Sequence, residues 1–350
     1  MERKSKSSLK LLAFPSLVNT KASILILSLW SLCLLATFAV ILGFSVRQKL
    51  TLVSRLDERD KLHFIAEAGI KKAIIQLKEE SGKTYDALND NWNNNISVFK
   101  EIDMGDGKFS ILHDYINEYT GLVESWYGLI DEESKININK ANKTILERLF
   151  QITLNFDETQ AQELAAAIVD WRDTDSELSI PLGSAEDRDY RNLEYPYEAK
   201  DADFEVLEEI LLVKGMDENI FKKIKNYITI YGSGKINVNT ASRGVLLALG
   251  INQDLVDKIV SFRAGEDGIV GTSDDNIFDT SSNIVPKLSQ SFHLSDSEIA
   301  QLSAIVEQYL VTNSNNFMAR CSAKLNGKKK SSEVIAVINR SGKILSWEES

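Results

Sequence analysis

Hydrophobic positions along the chain fall into three patterns. The first is continuous: residues 22–46, ASILILSLWSLCLLATFAVILGFSV, run for 25 residues without a formal charge. A helix of that length reaches across a hydrocarbon core of about 30 Å, so the segment predicts a membrane span. A secretory signal peptide has a shorter apolar core, about 7–15 residues, followed by a small-residue cleavage motif. The second pattern is a helical stripe. Leu50, Val53 and Leu56, then Ile70, Ile74 and Leu77, recur among charged positions, as on a helix half-packed against a domain. No proline falls between Pro15 and Pro181, so residues 22–80 are expected to form one rod of roughly 90 Å, with Gly43 and Gly69 as the places for a bend. The third pattern alternates. GKFSILHDYI (107–116) and VESWYGLIDE (123–132) flank the turn-like NEYTG, and NFMARCSAKL, SSEVIAVINR and KILSW follow near the end. These read as strands of an antiparallel sheet, interrupted by a large helical insertion over about 138–310.

Inside the insertion the chain repeats itself. KININKANKTILERLF begins at 135 and KINVNTASRGVLLALG at 235; Lys135, Asn137, Asn139, Ala141, Leu146 and Leu149 match Lys235, Asn237, Asn239, Ala241, Leu246 and Leu249 at a constant spacing of 100. Ile168, Val169, Trp171 and Arg172 are then answered by Ile259, Val260, Phe262 and Arg263. The pattern opens like a helix-hairpin-helix, and Asn139 and Asn239 are expected to cap the helices that follow them. A hairpin that grips phosphate needs flanking glycines, so that bare N–H groups at a helix N-terminus can approach the anion. LGINQDLV in the second copy supplies Gly250 alone and FQITLNFDETQ in the first supplies none. The repeats are therefore read as packing modules.

Charge strengthens that reading. The net charge is -11, yet residues 1–21 hold Arg3, Lys4, Lys6, Lys10 and Lys21 against Glu2, which leaves -15 on the remainder. So acidic a body repels a polyphosphate over a Debye length of roughly 8 Å, and no nucleic-acid partner is expected. The five leading cations orient the span with its N-terminus in the cytoplasm and everything after residue 46 outside it. Cys33 and Cys321 sit in environments that could hardly meet, and no disulfide between them is expected.

The acid is concentrated in two loops. Residues 173–203 carry ten acidic and three basic residues with Pro181 and Pro196. Asp170, Asp173 and Asp175, with Glu186, Asp187 and Asp189 beyond the bend, suit a hard cation such as calcium, which takes 6–8 oxygens in about any irregular arrangement. GEDGIVGTSDDNIFD (265–279) offers Asp267, Asp274, Asp275 and Asp279 among glycines, without EF-hand spacing. His63, His113 and His293 stand apart from any nucleophile or metal spacing, and no P-loop, zinc motif or complete dinucleotide fingerprint occurs. The chain is read as a non-enzyme.

Taken in order, the basic start, the apolar helix with LSLW, AEAGIKKAIIQL, YGLIDEESKININKAN, AAAIVDWRDTDSE, GSAEDRDY, LLVKGMDENIFKKIKNYITIYGSGKINVNTAS and the terminal LSWEES resemble the K-class minor pseudopilins of type II secretion. That resemblance implies an α+β fold: a long N-terminal pilin-like helix packed on an antiparallel sheet, with a large α-helical insertion containing two helix-hairpin-helix or SAM-like repeats. It divides the chain into a basic prepilin leader (1–22), a transmembrane and pilus-core helix (23–46), a periplasmic helix with the first strands (47–137), the inserted helical domain (138–310, with repeats at about 135–172 and 235–263) and the closing strands (311–350). It further implies cleavage by prepilin peptidase between Ala22 and Ser23, where alanine replaces the usual glycine. The fifth position of the mature chain is then Leu27, where other pseudopilins carry a glutamate that pairs with a neighbour's amino terminus. A subunit at the filament tip has nothing above it to neutralise, and an unpaired carboxylate in an apolar bundle is costly. The implied role is to cap the pseudopilus tip in the inner membrane, with I- and J-class minor pseudopilins as partners, calcium as a bound ion, and secreted substrates or the outer-membrane secretin as further contacts. A membrane-anchored helix-hairpin-helix receptor for DNA uptake, with a similar INVNTA, is the alternative.

Overall fold

The computed structural model describes residues 20–117, 121–181 and 183–350, with backbone only for residues 20–23. The leader cations Arg3, Lys4, Lys6 and Lys10 and the tip of NEYTG thus lie outside the described residues. The chain divides into two units, residues 1–60 and 61–350.

Helix α1, Thr20–Glu79, continues through both Gly43 and Gly69 without a break. Proline-free sequence and straight-chain or apolar side chains leave nothing to interrupt its backbone hydrogen bonds. In the first unit every large apolar side chain from Ile24 to Leu56 is half or more exposed. The Ser28 hydroxyl donates back to the Leu25 carbonyl (2.8 Å), Ser31 to Leu27 (2.9 Å) and Thr37 to Cys33 (2.9 Å). These polar groups are satisfied inside the helix, as an apolar surrounding demands.

The second unit begins with the same helix in a different role. Leu62, Ile65, Ala66, Ile70, Ala73 and Leu77 are buried at helical spacing, and they face a sheet. A short helix α2 (Ile96–Phe99) precedes strands β1 (Ile102–Asp103) and β2 (Gly107–Ile111). A hairpin follows, β3 (His113–Ile116) with β4 (Val123–Trp126), then β5 (Ile130–Asp131). Strands β6 (Ile136–Asn137), β7 (Ile228–Thr229), β8 (Ile236–Asn237) and β9 (Leu310–Val311) are two-residue bridges, and the long strands β10 (Asn316–Leu325), β11 (Ser331–Asn339) and β12 (Ile344–Glu349) close the chain. The main sheet is antiparallel with order β1-β2-β10-β11-β12, and β5 shares the edge of β10 with β2. Phe317, Ala319, Cys321, Ala323 and Leu325 alternate inward along β10, as a strand with one buried face requires. Its small residues let α1 approach closely: a Cβ on Gly69 would collide with the buried Cys321 thiol and the Phe109 ring.

The expected strand over 107–116 is split. The Leu112 amide still reaches the Arg320 carbonyl (3.1 Å), but β3 leaves to pair with β4. There Tyr115 stacks on the buried Trp126 with ring centroids 3.7 Å apart, a second apolar contact that draws the chain off the sheet.

Between β6 and β9 runs a helical region with its own core, from Ile136 to Leu310. It holds α3 (Lys143–Leu154), α4 (Glu158–Arg172), α5 (Asp187–Tyr190), α6 (Glu218–Ile224), α7 (Arg243–Ala248), α8 (Gln253–Arg263), α9 (Ile284–Ser291) and α10 (Asp296–Tyr309). Two parallel bridges, β6 with β7 and β8 with β9, open its two copies. The copies fold alike, but Asn139 and Asn239 do not cap. The caps are Asn142, accepting from the Ile145 amide (2.9 Å), and Ser242, accepting from Val245 (3.4 Å). A turn at Asn137 and Asn237, closed by the Ala141 and Ala241 amides, places residues 139 and 239 three positions too early. Each instead clasps a distant residue. The Asn139 amide accepts from the Phe204 N–H (2.8 Å) and donates to its carbonyl (3.0 Å); Asn239 does the same with Phe278 (2.9 and 3.0 Å).

A buried carboxylate joins this region to the sheet. Asp131 on β5 accepts from Thr240 (2.5 Å), Ser314 (2.7 Å) and Asn237 (3.1 Å). Burial, then the charge of Glu133, holds its pKa well above the usual carboxylate range.

Candidate functional site

The two acidic loops each leave the second helix of a copy and return to its clasped phenylalanine. A capping box between Asp157 and Gln160 starts α4, and its C-cap is Asp173. Asp170, fully buried, accepts from the Ser179 amide through both oxygens (3.1 and 3.2 Å), which folds the loop back over the helix end. As a result the carboxylates of Asp173, Asp175 and Glu186 converge, with one oxygen of each within 4.8 Å of the others. Asp173 Oδ1 and Glu186 Oε1 are buried without a hydrogen-bond partner. Burial, then Asp175 and Asp170, pushes Asp173 up to about 6; burial, then Asp170 and Asp173, pushes Glu186 up to about 7. Crowded carboxylates short of donors are the electrostatic signature of a place for a cation.

Asp201, missed in the sequence, raises both groups further. Its amide bonds the Trp171 carbonyl (3.1 Å) from a left-handed backbone (φ 52°), a conformation Asp tolerates better than most residues. Asp187 and Asp189 are not brought to the cluster. Asp187 accepts from the Ala199 amide (2.9 Å) and pairs with Arg191 (2.7 Å), while Asp189 accepts from the Glu186 amide (3.3 Å).

Residues 122–233, a span that contains this cluster, match the family model for type II secretion system protein K. Among solved structures, the GspK-GspI-GspJ complex from the enterotoxigenic Escherichia coli type 2 secretion system has a similar fold, with a TM-score of 0.62 and 16% identity over 85% of this chain and 99% of that chain. No curated protein matches the chain. Over that third of its length the chain is similar to type II secretion system protein K.

The second acidic loop is arranged differently. Asp267 accepts from the Ile269 amide (2.7 Å), Asp274 from Glu266 (2.8 Å) and Asp267 (3.0 Å), and Asp275 from Gly271 (2.6 Å). The Thr272 hydroxyl, then the Asp267 amide, brings Asp274 down to about 2. Asp279 pairs with Lys287 (2.8 Å). Among the described residues only Asp173, Asp175 and Glu186 form a group of three with converging oxygens.

The helix connections after α3 and α7 each hold a left-handed residue. Gly250 (φ 89°) follows the end of α7, where an added Cβ would collide with the Arg148 guanidinium, and Asn155 (φ 56°) takes a left-handed place after α3. Both are helix C-terminal devices.

The N-terminal helix lies outside the matched span. It is long and apolar enough to cross a membrane, with a mean hydropathy of 2.6 in its most apolar window, and fits a single-pass anchor. Ala22 and Ser23 lie in its first turns, their side chains outside the described residues, and Leu27 is exposed. From Ser23 to Leu56 it holds no carboxylate.

Proposed function

We propose that this chain caps the tip of the type II secretion pseudopilus, nucleates filament assembly with I- and J-class minor pseudopilins, and supports protein export as an assembly subunit with no catalytic role. One observation carries the reading: a chain similar to protein K over residues 122–233 presents an unpacked apolar helix with leucine, Leu27, where an interior subunit needs a charge partner for its neighbour's amino terminus. Such a subunit joins the bundle below it and offers nothing to one above. The similar fold of a chain from a GspK-GspI-GspJ complex supports the choice of partners. The chain spans the inner membrane once, N-terminus inside, and prepilin peptidase cuts between Ala22 and Ser23. The two copies act as helix-hairpin-helix or SAM-like packing modules. Asp173, Asp175 and Glu186 hold a calcium ion, supported by their convergence and by the two oxygens without donors.

N-terminal sequencing of the mature protein is expected to begin at Ser23, and the chain is expected to copurify with the I- and J-class subunits. An uncleaved chain that purifies alone under native conditions overturns the proposal. A mobility-shift assay with duplex DNA at low salt is expected to show no binding.

A further inference from the structure

A cavity of about 410 Å³ opens between the β3–β4 hairpin and the second copy, away from the carboxylate cluster. Its walls are largely apolar: Tyr115 and Trp126 stacked on the hairpin side, Leu129 beneath, Ile152 of α3 and Leu247 of α7 opposite. Arg263, the last residue of α8, also lines it.

Arg263 is the unusual member. It is 4% exposed, and its Nη1 donates to the carbonyls of Ala241 (2.6 Å) and Val238 (3.2 Å), while its buried Nε has no partner. Among the described cations of the cavity wall, Lys135 is paired with Glu132 (2.6 Å) and Arg243 with Asp257. Among the described residues no carboxylate forms an ion pair with Arg263; Asp114 and Asp131 also line the cavity, and Asp131 is taken up by Thr240, Ser314 and Asn237. The comparison with the first copy sharpens this. Arg172, its counterpart, makes the same contact with the Ala141 carbonyl but lies in the field of Asp203 and Asp173. A guanidinium cannot shed its charge, so a buried one without a counter-anion is a site that lacks one. His113, pushed down to about 4 by burial, stays neutral at physiological pH. Concave, mostly apolar walls with a few polar groups, Arg263 among them, have the form of a small-molecule site, and the volume falls in the usual range of roughly 300–1,000 Å³.

We propose that this cavity binds a free organic carboxylate with an aromatic body. The ring lies against Trp126 and Leu247, and the carboxylate neutralises Arg263. The test is calorimetric titration of the full chain in lipid nanodiscs with 4-phenylbutyrate and with its uncharged amide. The acid is expected to bind at least tenfold more tightly than the amide. Arg263→Gln is expected to abolish that preference, and Leu247→Trp, which fills the cavity and leaves Arg263 in place, to abolish binding of both probes. Equal affinity for acid and amide, no binding of either, or unchanged binding by the Leu247→Trp variant would overturn the assignment.

Discussion

The loops at 173–203 and 264–277 occupy equivalent places in two copies of one unit, yet they use their carboxylates in opposite ways. In the shorter loop Asp267, Asp274 and Asp275 take up amide and hydroxyl donors from the loop itself. In the longer one Asp173 and Glu186 each keep an oxygen without a donor. Acidic composition is the same signal in both. What separates them is the supply of N–H groups: left-handed Gly265, Gly268 and Gly271 turn the shorter loop onto its own carboxylates, and the longer loop has no such glycine. Carboxylate count therefore says little about cation binding until the donors have been counted too.

The strongest break in the comparison removes the shared clasp. Asn239→Ala leaves the buried N–H and C=O of Phe278 without partners, at about 1–3 kcal/mol for each group. A loss of roughly 4 kcal/mol is expected in chemical denaturation, against about half that for Asn139→Ala, whose site is less buried. Equal losses would show that the two clasps do not differ in burial as described.

Calcium comes next. At a hundredfold excess over its Kd an ion adds about 2.7 kcal/mol, a rise in Tm of roughly 5 °C for a chain of this size. The combined change Asp173→Asn and Glu186→Gln is expected to remove that rise, and Asp274→Asn to leave it intact. A calcium response lost with Asp274→Asn alone would move the ion to the other loop.

The pH response should have opposite signs in the two loops. Without a cation, the raised carboxyls of Asp173 (about 6) and Glu186 (about 7) make the folded state bind protons more tightly than the unfolded chain. Stability from this site is present at acid pH and lost as pH rises through about 4 to 7. Asp274, held at about 2, contributes above its ordinary value and loses that contribution as pH falls toward 2. Thermal melts in chelator should therefore show Tm falling between pH 5 and 7, and calcium should flatten that slope by displacing the protons. A rise in Tm across that window without calcium contradicts the crowding described for the cluster.

The smallest effects come from the left-handed residues that end α3 and α7. Gly250→Ala is expected to cost about 1–2 kcal/mol, since φ is 89° and Arg148 crowds the site. Asn155→Gly should change stability by no more than about 1 kcal/mol.

Much of this was legible in residues. The uncharged run and the stripe after it mark α1, and the hundred-residue offset marks the two copies, because periodicity and repetition are local properties of a sequence. The asparagines at 139 and 239 were recognisable as important, but their role was misread. Capping is a contact over three residues, whereas the clasps reach from Asn139 to Phe204 and from Asn239 to Phe278, separations no local pattern records. The acidic loop was legible as a metal candidate only in outline. Asp170 turned out to pin Ser179, Asp187 to hold Ala199 and Arg191, and Asp201 to join from beyond the expected set. Likewise the split at Leu112 depends on Trp126 finding Tyr115, a pairing that alternation alone could not reveal.

The asparagine clasp has a consequence for how such a chain can vary. By taking both backbone groups of one phenylalanine, the side chain seals the loop at its base, so the helices on either side meet a closed end whatever lies between. Length inside the seal is then nearly free, each doubling of a flexible loop adding only about 0.6 kcal/mol of closure entropy. Residues inserted around Tyr195, which is 79% exposed, would leave the register of both copies untouched, making this loop the natural graft point for new surface on an otherwise fixed frame.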